Sequence, residues 1–97
     1  MAVVRAHVVV SGRVQGVYFR GNTKDRADSM GVNGWVRNLA NGKVEAVFEG
    51  EEEDVRRMVT WCHQGPPGAR VDHVETEWET PTRESSGFEF RRTSFGQ

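Results

Sequence analysis

The first strongly patterned stretch of the chain runs from Val4 to Val10 and alternates between its two faces. A period of two is typical of a β-strand, and it gives one face the side chains of Val4, Ala6, Val8 and Val10. A loop with two glycines follows. The next segment, up to Met30, has a weaker helical pattern in which Asn22 can cap a helix and Gly31 can end it. The pattern therefore predicts a strand, a glycine loop and a helix.

Two further strands joined by a tight turn are predicted after this helix. The segment from Val32 to Ala40 is one strand, and the segment from Lys43 to Glu49 returns beside it with inward side chains at Val44, Ala46 and Phe48. The Asn41-Gly42 pair between them is typical of a hairpin with a type I′ turn, because both central residues of that turn need a positive φ.

The clearest helical pattern lies in the second half of the chain. Its apolar side chains recur at the spacing i, i+3, i+4 and i+7, at Val55, Met58, Val59 and Cys62. The acidic run from Glu51 to Asp54 lies at its start, where the helix dipole favours negative charge. A Gly-Pro-Pro-Gly stretch from Gly65 to Gly68 interrupts the pattern. We therefore expect a second helix of about three turns.

Two more strands complete the pattern. One runs from Val71 to Glu79 and is expected to bury Val74 and Trp78, and a short one runs from Gly87 to Arg92. The order predicts the fold class α+β, as a ferredoxin-like βαββαβ sandwich whose antiparallel sheet carries two helices on one face and a short extra C-terminal strand. At this length we expect residues 1–97 to form a single domain. Because this fold serves many functions, function has to be inferred from a site.

Composition and charge narrow the class of protein. The formal net charge of −1 argues against a nucleic-acid-binding face, which is usually strongly basic. The single cysteine cannot form an internal disulfide, which favours the cytoplasm. The chain shows no signal peptide and no apolar run of membrane-spanning length. We therefore expect a cytoplasmic protein that binds neither membranes nor nucleic acid.

The loop between the first strand and the first helix is the best candidate for chemistry. Its glycines, Gly12 and Gly16, allow successive backbone N–H groups to converge on an anion, and Arg20 adds a planar cation near a helix start. A Walker loop would need a Gly-Lys-Ser/Thr, and a dinucleotide fingerprint would need Gly-x-Gly-x-x-Gly, and the loop has neither. The residues alone leave two readings open, a site for one phosphate group or a plain connection. Asn38, near the end of the second strand, is likewise a weak candidate on its own.

Two longer motifs give these residues a context. The run Val10-Ser-Gly-Arg-Val-Gln-Gly-Val-Tyr-Phe-Arg20 resembles the first signature of the acylphosphatase family. The run Gly34-Trp-Val-Arg-Asn38-Leu-Ala-Asn-Gly-Lys-Val44, continuing to Gly50, resembles the second. The resemblance covers essentially the whole chain. It departs from the family in the helices, where Met30 occupies a position that is often leucine.

The resemblance implies a metal-independent enzyme that needs no cofactor and acts as a monomer. Its partners would be a small acyl phosphate as substrate and inorganic phosphate as product. By the same resemblance the catalytic residues are Arg20 and Asn38, with Asn38 positioning the attacking water. The phosphoryl group would be bound by the loop residues Val14, Gln15, Gly16, Val17, Tyr18, Phe19 and Arg20.

Other residues that could carry chemistry have simpler explanations. Arginine does not follow Cys62 at the spacing of a cysteine phosphatase loop, and Cys62 lies on an apolar helix face, where inert packing is expected. The three histidines lack metal-ligand spacing. Arg37 is expected to be an outward, solvated side chain.

Two alternatives from other classes remain. An RNA-binding module would share this order of elements, but it needs a basic, aromatic third strand, and here that strand is acidic with one aromatic residue. A non-catalytic phosphate-binding module, or an accessory domain of a larger carbamoyl-transfer protein, would keep the loop without the hydrolysis. Turnover of benzoyl phosphate separates these from an enzyme.

Overall fold

The structure is a computed structural model that describes residues 2–84 and 86–93. Within this part of the chain, neither helix is long and apolar enough to cross a membrane. Five strands and two helices follow one another along the chain as β1 (Val3–Arg13), α1 (Phe19–Met30), β2 (Asn33–Asn38), β3 (Val44–Glu51), α2 (Glu52–Cys62), β4 (Arg70–Glu79) and β5 (Phe88–Phe90).

The strands form one sheet in the order β4-β1-β3-β2-β5. The predicted fold class is confirmed, since β1 to β4 pair with one another in antiparallel fashion and both helices pack on the sheet. The last strand adds a feature that the sequence pattern did not contain. Strand β5 pairs with β2 in parallel, with Val36 opposite Phe90, so the sheet as a whole is mixed.

The hydrophobic core lies between the helices and one face of the sheet. The inward positions predicted on β1 and β3 lie there, Val4 partly buried and the others fully buried, together with side chains from both helices. On α2, Val55, Met58 and Cys62 are fully buried, as the helical pattern predicts. On α1, Thr23 is buried beside Ala27, and its hydroxyl donates to the Phe19 carbonyl. The buried face of each element thus follows the period seen in the sequence.

The first helix begins earlier than predicted. It starts at Phe19 rather than after a cap at Asn22, and the Asn22 side chain donates back to the Tyr18 carbonyl. Tyr18 occupies the cap position with φ 62° and ψ 31°, a left-handed conformation. This conformation turns the chain from the loop directly into the helix. It leaves Arg20 in the first turn of α1.

The β2–β3 hairpin forms where Asn41-Gly42 predicts it, but the predicted turn type, I′, is wrong. The Gly42 N–H donates to the Leu39 carbonyl, and the Leu39 N–H donates to the Lys43 carbonyl. Gly42 has φ 92°, while Asn41 keeps a negative φ. The turn is therefore a three-residue loop that ends in a glycine bulge.

The exposure of two side chains differs from what the alternation along their strands indicates. Trp78, predicted to be buried, is 47% exposed on the edge strand β4, where the Arg56 guanidinium lies 5.0 Å from the centre of its ring system. Glu49 lies beside Arg5 on the face of β3 that points away from the core, yet it is only 4% exposed. The segment after β4 covers it, since the backbone N–H groups of Thr82 and Arg83 both donate to its carboxylate.

Candidate active site

A cleft of about 400 Å³ opens where β1 leads into α1, beside the end of β2. Every residue predicted for the site lines this cleft except Val17, which packs against the core instead. Two further residues line it, Gly21 of α1 and Phe90 of β5. The structure therefore brings the loop, Arg20 and Asn38 together, although Asn38 is distant in sequence.

The loop offers mostly backbone to the cleft. The side chains of Val14 and Phe19 are buried in the core, and Phe19 packs against Trp61 with ring centroids 5.3 Å apart. Gly16 and Tyr18 both have positive φ, of 76° and 62°. A positive φ is rare and strained for a bulky residue such as tyrosine, and strain of this kind concentrates at functional sites.

The N-terminus of α1 faces the cleft without competition from an acidic side chain. No side chain caps this end, and no Asp or Glu lies in the first turn. The other helix differs, because Glu52, Glu53 and Asp54 occupy the first turn of α2. The N–H groups that begin a helix have no partner within it, and they attract anions. The start of α1 is therefore suited to attract an anion, as the sequence predicts.

Gln15 fastens the loop to the β2–β3 hairpin. Its side-chain Nε2 donates to the carbonyl oxygens of Leu39, at 2.8 Å, and Lys43, at 2.9 Å. Carbonyl oxygens only accept hydrogen bonds, so the part of the Gln15 amide that faces them must be its NH₂ group rather than its oxygen. Because Leu39 follows Asn38 directly, these bonds fix the position of Asn38 relative to the loop. The sequence contains no local signal for this contact.

The two predicted catalytic side chains are available to a ligand. Among the described residues, Arg20 has no ion-pair partner, and the Asn38 side chain has no hydrogen-bond partner. Arg37, the neighbour of Asn38, differs because its Nε lies 2.6 Å from a Glu45 oxygen and its guanidinium lies over the Trp35 ring. Arg37 is therefore outside the cleft lining, but the expectation of a solvated side chain is wrong, because Glu45 and the Trp35 ring hold it.

Phe90 is one of the two lining residues that the sequence does not reveal. The alternation of Phe88 and Phe90 indicates that both lie on one face of a strand, but nothing local reveals which strand lies next to it. Pairing with β2 brings β5 to the edge beside Asn38. Gly21 lines the cleft because the Tyr18 ring packs on it, in the space that a Cβ would occupy. This contact between a loop residue and the helix is not visible in the sequence.

The residues dismissed on sequence grounds lie away from the cleft. Cys62 is buried, and this burial raises the pKa of its thiol to about 12, so the thiol stays protonated at neutral pH. In residues 2–84 and 86–93, no group of three or more His, Cys, Asp or Glu side chains is arranged to hold a metal ion.

The arrangement suits binding and positioning better than proton transfer. Arg20 is the one cationic side chain that lines the cleft in the described part of the chain, and no Asp, Glu or His is among the lining residues. Such a site can hold a phosphoryl group by charge and N–H donors, and it can orient a water through an amide. It offers no carboxylate or imidazole as general acid or base.

Comparison with known proteins gives a consistent result. The family model described as Acylphosphatase matches residues 6–90. An acylphosphatase from Pelotomaculum thermopropionicum is 58% identical over 88 residues, which are 91% of this chain and 96% of that protein. An acylphosphatase from Haloarcula marismortui is 59% identical over 91 residues, covering 94% of this chain and 99% of that protein.

A solved structure shows the same architecture. The structure of an acylphosphatase from Coxiella burnetii superimposes with a TM-score of 0.86 at 38% sequence identity. The match covers 92% of this chain and 93% of that one. The similarity therefore extends over nearly the full length of both chains.

Proposed function

Because this chain belongs to the acylphosphatase family and has acylphosphatase activity, we propose that the cleft beside Asn38 is where an acyl phosphate is hydrolysed. The observation that carries the proposal is the meeting of Arg20, the loop backbone and Asn38 in one cleft. In this mechanism the loop and Arg20 hold the phosphoryl group, and Asn38 positions the water that attacks it.

The phosphoryl group is bound by donors that the fold holds in place. The loop from Val14 to Phe19 contributes backbone N–H groups, and the uncapped start of α1 adds the positive end of a helix. Arg20 contributes a planar fork of N–H donors that matches two phosphate oxygens. Because the donors are positioned before the substrate arrives, they stabilise the charge on the equatorial oxygens in the transition state.

The leaving group accounts for the absence of an acid among the lining residues of the described chain. The water oxygen forms a bond to phosphorus while the bond from phosphorus to the acyl oxygen breaks, and the electron pair leaves with the carboxylate. A carboxylic acid has a pKa of about 4, so the carboxylate leaves without protonation at neutral pH. The proton from water passes to a phosphate oxygen or to solvent.

The attacking water needs orientation more than it needs a strong base. A loose, metaphosphate-like transition state makes little bond to the nucleophile, so positioning supplies much of the rate. The Asn38 side chain offers a carbonyl oxygen that accepts from the water and an NH₂ group that donates to it. Gln15 holds the strand end that carries Asn38 against the loop.

Replacement of Arg20 tests the proposal. We expect Arg20→Ala to lower kcat/KM for benzoyl phosphate by at least about 10²-fold, the cost of removing one positioned donor at a developing charge. Arg13→Ala is the matched control, because Arg13 is an exposed arginine at the end of β1 that does not line the cleft. Hydrolysis is followed by ultraviolet absorbance with a metal chelator present, since the mechanism uses no metal. Near-parental turnover by Arg20→Ala would refute the assignment.

The remaining expectations on partners and location stay proposals. We expect acyl phosphates as substrates without contact to nucleic acid, a monomer in solution, one domain over residues 1–97, and a cytoplasmic location. Size-exclusion chromatography with light scattering checks the monomer, and a dimer at micromolar concentration would contradict it.

A further inference from the structure

Two exposed aromatic side chains line the cleft. Among the described residues, three large apolar side chains are strongly exposed, and two of them, Tyr18 at 69% and Phe90 at 51%, lie in its wall. The third, Trp78, is on the far edge of the sheet on β4. Exposed aromatic rings that converge on one cleft indicate a surface that binds something apolar.

The other side chains that line the cleft are buried in the core, hydrogen-bonded or assigned to the phosphoryl group and the water. Val14 and Phe19 bury their side chains in the core, and the Gln15 NH₂ group is bound to two carbonyl oxygens. Arg20 and Asn38 are assigned to the phosphoryl group and the water. The surfaces that remain for the acyl part of a substrate are therefore the two aromatic rings.

Several contacts hold Phe90 at the cleft. The Arg91 N–H donates to the Val36 carbonyl at 2.9 Å, which fixes the parallel pairing of β5 with β2. Two residues earlier, Phe88 is buried and stacks on Phe48 with ring centroids 5.7 Å apart. Because side chains two apart share a face of a strand, a buried Phe88 aims Phe90 toward the helix side of the sheet. The ring is thus positioned by the core and remains accessible.

Tyr18 is held by the backbone and by its neighbour in the helix. Its left-handed conformation, with φ 62°, places the ring against the first turn of α1. The ring packs there on Gly21, where a Cβ would force the ring to move. A strained backbone that presents an exposed ring at the mouth of a binding cleft is consistent with a role in ligand contact.

The charges in the cleft favour an uncharged acyl group. Arg20 is the one cationic side chain in its lining among the described residues, and the phosphoryl group takes it. A second anionic group on the acyl side would find no counter-charge there. A planar apolar group would instead cover aromatic surface that water now contacts.

We propose that Tyr18 and Phe90 form an acyl-group subsite that makes this enzyme prefer acyl phosphates with an aromatic acyl group over those with a small aliphatic one. The inference rests on the proposed function, because it takes the phosphoryl group to be held by the loop and Arg20. The preference arises from contact between the acyl ring and the two aromatic side chains.

The test compares kcat/KM for benzoyl phosphate with kcat/KM for acetyl phosphate in each variant. The difference in intrinsic reactivity between the two substrates is the same in every variant, and the fraction of folded protein affects both substrates alike. The change in this ratio relative to the parent therefore isolates the subsite. We expect Phe90→Ala to lower the ratio about tenfold, mainly through KM for benzoyl phosphate, as loss of an apolar contact does. Phe90→Leu should lower it less.

Two more variants complete the design. Tyr18→Asn removes the second ring while keeping a residue that tolerates the left-handed conformation, and it should also lower the ratio. Trp78→Ala removes the exposed aromatic residue outside the cleft and should leave the ratio within twofold of the parent.

The outcomes separate this inference from the mechanism. Ratios within twofold of the parent in both Phe90→Ala and Tyr18→Asn would overturn the subsite, even if Arg20→Ala is inactive. An active Arg20→Ala would instead overturn the mechanism, whatever the ratios are. A parent enzyme that does not favour benzoyl phosphate would also overturn the subsite.

Discussion

Arg20 and Asn38 reach the cleft from different elements, and each depends on a neighbour for its position. Arg20 is in the first turn of α1, which starts at the left-handed Tyr18. Asn38 ends β2, and Gln15 binds the next carbonyl along the strand. At the scale of single residues, the proposed catalytic geometry therefore depends on the backbone conformation of Tyr18 and on the hydrogen bond from Gln15.

Replacement of Asn38 should lower kcat without weakening phosphate binding, whereas replacement of Arg20 should affect phosphate binding. We expect Asn38→Ala to lower kcat for benzoyl phosphate by about 10²-fold or more, since it removes the group that orients the water. Competitive inhibition by inorganic phosphate should change less than threefold, because phosphate is bound by the loop and Arg20. The measurement is steady-state kinetics with phosphate as inhibitor. A variant that loses phosphate affinity in proportion to kcat would place Asn38 in phosphate binding instead.

At the scale of elements, the connection from β4 to β5 determines the edge of the cleft. These two strands lie at opposite edges of the sheet, so the chain between them has to cross it. Glu49 holds this crossing segment, since its carboxylate accepts from the N–H groups of Thr82, at 3.1 Å, and Arg83, at 2.7 Å. Arg5 binds the same carboxylate at 3.0 Å. The segment ends at β5, which carries Phe90.

Glu49→Gln should destabilise the protein markedly. The amide keeps the shape of the side chain but removes the charge that accepts these hydrogen bonds, so we expect the free energy of unfolding to fall by about 2 kcal/mol. Glu53→Gln is the matched control, because Glu53 forms an exposed pair with Arg57 on α2, and its loss should cost less than about 0.5 kcal/mol. Urea unfolding followed by tryptophan fluorescence measures both. Equal effects in the two variants would show that the hydrogen bonds of Glu49 do not stabilise the crossing segment.

Local patterns explain what the sequence could predict. The loop, Arg20 and the two main motifs are contiguous runs, and the core faces follow simple periods, so these features are visible in the sequence. Glu49 and Gln15 act through contacts with distant segments, which no local pattern contains. The expected burial of Trp78 is wrong because β4 is an edge strand, and alternation along a strand does not show how far the helices cover it.

At the scale of the whole molecule, the two faces of the sheet have different chemistry. One face carries the apolar core, and the other carries a network of charged side chains across the strands. In this network Arg5 lies between Glu49 and Glu79, at 3.0 Å from each carboxylate. Glu45 binds both His7, at 2.7 Å, and Arg37, at 2.6 Å. Charges that are partly buried and paired in this way link stability to pH.

The network predicts a loss of stability in acid. Burial alone would raise the pKa of Glu45 and of Glu49, but hydrogen bonds outweigh it and lower both pKa values: from His7 and Arg37 for Glu45, and from Thr82, Arg5 and Arg83 for Glu49. A carboxyl whose folded pKa lies below its unfolded value stabilises the fold above the unfolded pKa, and this stabilisation disappears as pH falls through the folded pKa.

We therefore expect the free energy of unfolding to be level near neutral pH and to fall below about pH 4.5 by a few kcal/mol. Urea unfolding at a series of pH values measures this dependence. In Glu49→Gln the decrease should be smaller, because one of the two carboxyls no longer titrates. An equal decrease in Glu49→Gln and the parent would assign the acid sensitivity to other groups.

The position of β4 at one edge of the sheet has a consequence for self-association. Its outer side leaves backbone N–H and C=O groups that could pair with a strand from another copy, and it is a long strand, unlike β5 at the other edge. Four acidic residues lie along it, at Asp72, Glu75, Glu77 and Glu79. Negative charge along this edge opposes its pairing with a second copy, so neutral substitutions at these four positions would lower the barrier to aggregation through this strand.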